Sequence, residues 1–201
     1  MKYSHHLISS KGSDRATAYV SANRAVTLRD KTYVVWTDAV AFTRGRVFDH
    51  ATRKWGPTFT FGEGCDNHNN PSLTADRKGR LHVVYGPHGH WDQMHRMCEW
   101  PSGQYKYSVS TEPHSLSGLD KAQDPFGYSA TYASMIHTAA DIDCIVYRGG
   151  EQPPAVMFQK QRKEGGWTQA RPIFEQLIAP QYTHYLPTLA AGPDGVSQGE
   201  K

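Results

Sequence analysis

Two histidines stand at the ends of what reads as one short hairpin. His68 lies in Asp66-Asn67-His68-Asn69-Asn70-Pro71-Ser72-Leu73 and His88 in Gly86-Pro87-His88-Gly89-His90, with the strand-like Leu81-His82-Val83-Val84-Tyr85 between them. The polar stretch from Asp76 to Gly79 is a turn signal, so the chain reverses and returns both imidazoles to one rim of a sheet. Imidazole titrates near neutrality, which makes it a natural vehicle for proton transfer. Metal binding is the other chemistry at this spot. Cys65 and His68 form a Cys-x-x-His pair, half of a zinc site if Cys98 or another histidine folds back onto it. The plainer reading of Cys65 is a small buried residue beside an active-site histidine. Cys65, Cys98 and Cys144 are odd in number and widely spaced, a pattern of neither a disulfide framework nor a Cys-x-x-Cys knuckle.

The elements that must position these groups are short. β-branched and aromatic runs recur at Thr32-Tyr33-Val34-Val35-Trp36, Leu81-His82-Val83-Val84-Tyr85 and Asp143-Cys144-Ile145-Val146-Tyr147, each ending in an aromatic. Outer-strand candidates follow at Arg46-Val47-Phe48-Asp49 with Trp55, at Tyr105 to Val109, and at Ala155 to Gln159 with Trp167. No window of a dozen residues holds a 3.6-residue apolar period, so the chain is all-β. Pro71-Ser72-Leu73, Ala133-Ser134-Met135 and Pro187-Thr188-Leu189 echo one another at the heads of successive units. Units of about 50 to 60 residues with four short antiparallel strands have the form of β-propeller blades. The blade-like units span about 20–65, 66–125 and 126–180, with the start of another at 181–201. Propellers close with about four to eight blades, so residues 1–201 are expected to form a single partial domain of a longer propeller, seven-bladed when complete. An inner strand is expected to begin at Gly195-Val196-Ser197.

Composition narrows the partners. The 201 residues are 38% hydrophobic and carry a formal charge of +3, with acids and bases interleaved. That permits an acidic ligand and gives no Lys/Arg block of the kind that tracks nucleic acid. No run of about 18 apolar residues is present, so no membrane helix is expected. Met1-Lys2-Tyr3-Ser4-His5-His6 lacks the apolar stretch of a signal peptide.

The pattern Asp-x-His-Asn-x-Pro-x-Leu, then x-Gly-x-hydrophobic-His-Val, then Gly-x-His resembles the BNR repeat-containing propeller proteins, and among them the ulvan lyases of polysaccharide lyase families 24 and 25. The likeness covers about residues 30 to 195. It implies catalytic histidines at His68 and His88 about twenty residues apart, a tyrosine and an arginine sixteen residues apart in the next blade at Tyr132 and Arg148, and a further histidine at His184. His90 and Asn69 are the neighbours expected along the substrate groove. Two features depart from the family pattern: Ala133 stands where proline is expected, and Ile136 to Asp141 lacks an Asp-Gly turn. The Ser-x-Asp-x-Gly-x-x-Trp box of sialidases is absent.

The implied reaction is β-elimination beside a uronic acid of a sulfated polymer. Arg148 would neutralise the C6 carboxylate in a bidentate grip. His68, His88 or a Tyr132 phenol assisted by a nearby cation would take the C5 proton and protonate O4. The resemblance also implies secretion or a periplasmic location, a monomer acting on acidic polysaccharide, and no cofactor for the chemistry, with a structural calcium or zinc ion left open. Two other readings stand beside it: a noncatalytic carbohydrate-binding propeller, and a glycoside hydrolase of sialidase-like architecture. The hydrolase needs two carboxylates facing the bond, and Asp38, Asp66, Asp92 and Glu151 show no such pairing. Taken singly, His68 could cap a loop, Tyr132 could be a half-buried strand aromatic, and Arg148 could be a charge emerging at a strand end. Trp36, Trp55 and Trp167 read as packing residues.

Overall fold

The computed structural model of the chain describes residues 4–17, 22–63, 70–86, 106–122, 130–149, 156–163, 166–175, 188–191 and 197–200. The regular elements among them are strands, in four antiparallel sheets that succeed one another along the chain. The first sheet holds β1 (Ala25–Leu28), β2 (Lys31–Thr37), β3 (Phe42–Asp49), β4 (Lys54–Trp55) and β5 (Phe59–Glu63). The second holds β6 (Ser72–Ala75), β7 (Leu81–Tyr85) and β8 (Lys106–Val109). In the third are β9 (Thr131–His137), β10 (Asp143–Gly149), β11 (Val156–Lys163), β12 (Gly166–Trp167) and β13 (Arg171–Glu175). The fourth pairs β14 (Thr188–Ala191) with β15 (Ser197–Glu200). β15 therefore folds back as the hairpin partner of β14 rather than opening a new unit, because the inner position is already filled by the Thr188-Leu189 strand.

β4 and β5 both pair with β3, at its two ends. β12 and β13 divide β11 in the same way. Each couple is one outer strand in two pieces, so the first and third sheets are four strands wide. Breaking the outermost strand, once at Gly56-Pro57-Thr58, shortens the unpaired edge that a continuous strand would present to other chains.

Three apolar clusters lie between successive sheets. Tyr33, Val35 and Phe61 of the first sheet meet Leu73, Leu81, Val83 and Tyr85 of the second. Val84, Tyr107 and Val109 of the second meet Ala133, Met135, Ile145 and Tyr147 of the third. Ile136, Cys144 and Val146 of the third meet Leu189 of the fourth. Neighbouring residues on β7 and β10 thus point to opposite sheets, as strand geometry requires. Both faces of the second and third sheets are covered. That is why Leu81 to Tyr85 is apolar with one exception and buried at every position.

The inner strands β1, β6, β9 and β14 neighbour one another. Serine hydroxyls join them: Met135 N–H donates to Ser72 Oγ at 3.0 Å, and Leu189 N–H to Ser134 Oγ at 3.2 Å. His137 N–H donates to Thr74 Oγ1 at 3.1 Å, so β6 and β9 run parallel with Ser72 beside Met135 and Thr74 beside His137. At the first joint Leu73 N–H donates to the Asn23 carbonyl, and the Asn23 amide reaches across to the Met135 carbonyl. The three echoing tripeptides seen in the sequence thus mark the joints between sheets. Successive antiparallel sheets stacked face to face along neighbouring inner strands make up β-propeller architecture.

Candidate active site

Tyr132 is the second residue of β9, and Arg148 stands near the end of its antiparallel partner β10, so the two share one end of the third sheet. Because β6 and β9 run parallel, the start of β6, with buried Asn70 just before it, lies at this end too. The register of β9 against β10 pairs Val146 with Ser134 and then Arg148 with Thr131. Tyr132 and Ala133 together oppose Tyr147, which makes a β-bulge. Tyr132 takes φ 54°, the left-handed region, which a bulky L-residue seldom occupies. A backbone conformation of this kind costs about 1–3 kcal/mol and clusters at functional sites. The ring is 4% exposed. The Arg148 guanidinium lies over it, 4.6 Å from the ring centroid. A cation over a phenol ring at that distance contributes about 0.5–2 kcal/mol. The bulge therefore sets the Arg148 guanidinium against the face of the Tyr132 ring.

Of the residues singled out in the sequence, the structure brings Tyr132 and Arg148 together. His68, Asn69, His88, His90 and His184 lie outside the described residues, as do Cys65 and Cys98. The reversal between Asp76 and Gly79 is present: β6 pairs with β7, Asp76 Oδ1 accepts the Arg80 N–H at 2.8 Å, and Gly79 adopts φ 80°. Asp38 faces a cation rather than a second carboxylate, with Arg44 Nε 2.7 Å from Oδ2. Its other oxygen accepts the Val40 and Phe42 N–H groups and closes the turn between β2 and β3. Trp36 is buried, and Trp167 packs edge-on against Tyr107 at 5.2 Å. Cys144 is buried. Among the described residues no group of three His, Cys, Asp or Glu is placed to hold a metal ion, and no helix is long and apolar enough to cross a membrane.

A second titratable group, at the opposite end of the same sheets, escaped the sequence reading. Asp143 Oδ1 accepts from His137 Nδ1 at 2.9 Å, while Oδ2 lies 3.1 Å from His82 Nδ1 and 3.2 Å from the Tyr107 hydroxyl, which donates to it. His82 and Asp143 interrupt otherwise apolar buried strands, and that interruption was the available signal. On β10, Asp143 and Arg148 are five residues, about 16 Å, apart. The cluster is separate from the Tyr132–Arg148 pair.

The sequence profile of the BNR repeat-containing family matches residues 16–198. The chain belongs to this family. Among curated members, this BNR repeat protein is 25% identical over 170 residues to an ulvan lyase of Nonlabens ulvanivorans, covering 77% of the chain and 35% of that protein. It is 26% identical over 140 residues to an ulvan lyase of polysaccharide lyase family 25 from Pseudoalteromonas sp. (strain PLSV), covering 63% of the chain and 28% of that protein. A solved family 25 ulvan lyase bound to -[GlcA(1-4)Rha3S]- superposes with a TM-score of 0.65 at 18% identity, over 81% of this chain and 40% of that one. The BNR repeat chain therefore shares their fold and spans between a quarter and two fifths of the length of these relatives.

Proposed function

We propose that the chain carries part of the catalytic rim of a secreted polysaccharide lyase that cleaves a uronic-acid-containing, sulfated polymer by β-elimination. The observation that supports this most directly is the Arg148 guanidinium held over the Tyr132 ring at the bulge. The likeness to ulvan lyases points the same way. In this reading Arg148 binds the C6 carboxylate with two donors, which acidifies the proton on C5. A base removes that proton, electrons move into a C4–C5 double bond, and the C4–O4 bond breaks as O4 takes up a proton. In this reading Tyr132 serves as the proton carrier. His68 and His88, which precede β6 and follow β7 in the sequence, would share the base role, while His90, His184 and Asn69 would line the groove.

The test is incubation of the protein with a panel of uronate polymers, with ultraviolet absorbance of the unsaturated product as the readout. Product from a sulfated glucuronate polymer, lost in Tyr132→Phe, is the expected result. Binding of the polymer without product would make the protein a carbohydrate-binding propeller instead.

A further inference from the structure

The cluster around Asp143 sits between the second and third sheets, at the end remote from Tyr132 and Arg148. His137 is its most informative member. Its Nδ1 lies 2.9 Å from Asp143 Oδ1 and its Nε2 3.0 Å from Asp141 Oδ1. Neutral imidazole has one N–H and one lone pair, so it can donate to only one of the two carboxylates and turns a lone pair on the other. Only the imidazolium satisfies both. The turn from Thr138 to Ile142, with Asp141 at φ 61°, is what brings the second carboxylate back to the ring.

Among the described residues the groups facing this pair come from six further places. They are Asp76 in the β6–β7 turn, 3.4 Å from His82 Nε2; His82 on β7; Tyr107 on β8; Asp141 in the β9–β10 turn; Thr74 on β6, whose hydroxyl accepts the His137 N–H; and Arg162 on β11, 3.8 Å from Asp143 Oδ2 and 5.1 Å above the Tyr107 ring. Asp143 and His137 belong to the third sheet, His82 and Tyr107 to the second. The contacts of Asp143 with His82 and Tyr107 cross the seam that the apolar cluster around Val84 and Ile145 closes farther along, whereas both ring partners of His137 belong to the β9–β10 hairpin.

We propose that this cluster is a pH-sensitive clasp on the β9–β10 hairpin, at its seam with the second sheet, closed while His137 is an imidazolium bonded to both Asp143 and Asp141 and loosened when it gives up its proton. The hydrogen bond to Asp143 raises the His137 pKa above its ordinary value, burial opposes that, and the charges of Asp143 and Asp141 add to it. For Asp143, burial alone would raise the carboxyl, but the hydrogen bonds and charges of His137 and His82 outweigh it and hold it well below the usual carboxylate range. A histidine with a raised folded pKa contributes fully below the unfolded value of about 6.5, and that contribution is lost as pH rises through the folded value. A carboxylate with a depressed folded pKa contributes above about 3.9 and loses its effect as pH falls through the folded value. The clasp is tightest in mildly acidic solution and releases on the alkaline side. The clasp stands on the two carboxylates that face the His137 ring and does not depend on the lyase reading.

Thermal unfolding of the wild-type chain and of His137→Gln from pH 5.5 to 9 tests it. The wild-type midpoint should fall relative to the variant by about 2–4 °C or more across that range, while the variant's own profile lacks this component. Equal slopes for the two proteins would overturn the clasp. A second readout needs no variant: in the folded wild type, the His137 ring followed by NMR should titrate above about 6.5. A midpoint at or below that value would overturn the proposal as well.

Discussion

Tyr132 joins an unusual backbone conformation to a phenol ring under a guanidinium, and two substitutions test the roles proposed for the pair. Tyr132→Phe keeps the ring beneath Arg148 and removes only the hydroxyl. On the lyase reading it should lower kcat by about 10²-fold or more, the usual scale of general acid–base catalysis, with polymer affinity nearly unchanged. Arg148→Lys keeps the charge and loses the planar fork, so kcat/KM on a uronate polymer should fall almost as far as in Arg148→Ala. A lysine variant near wild-type efficiency would show that Arg148 acts only as a general attractor. The sixteen-residue spacing of this pair was legible from family resemblance. The bulge that joins them was not, since the sequence there is Ala130-Thr131-Tyr132-Ala133, without the glycine that usually announces a left-handed position. The Asp143 cluster was hard to read for a different reason: His137 and Asp143 face each other across one hairpin, but His82 and Tyr107 come from another sheet and join Asp143 only when the two sheets stack.

At the scale of the strand, the serine joints make a clear forecast. Ser134 is fully buried, and its hydroxyl accepts the Leu189 N–H. Ser134→Ala leaves that buried donor unsatisfied and should cost about 1–3 kcal/mol, read as a lower urea midpoint with an unchanged slope. Gly79 offers a contrasting case. Its φ is 80°, and a Cβ there would meet the His114 ring at 2.5 Å, so Gly79→Ala should destabilise the β6–β7 turn through both backbone strain and a clash. The alternation of apolar strands and turns was readable because Gly and Asp punctuate the chain at its hairpins. The splitting of the outer strands was not, because a two-residue ladder such as Gly166-Trp167 is too short to leave a periodic pattern.

Across the whole molecule, the second sheet is shared by two apolar seams, one toward the first sheet and one toward the third. Perturbing one seam should therefore be felt at the other. Leu81→Ala, on the first-sheet side, should cost about 2–5 kcal/mol and also speed amide exchange at Ile145, across the second seam. Unchanged exchange at Ile145 would show that the sheets open independently. The joints between inner strands bear on how such a molecule could have grown. Ser72 and Ser134 stand at the same place in their units and hold the first amide contact of the unit that follows, while Met135 and Leu189 supply the matching donors. Each unit thus brings a hook on one side and an eye on the other within a single tripeptide. A gene segment copied in tandem would carry both halves of the fastener with it, so a duplicated unit could dock against its parent before any further mutation had adapted the surface between them.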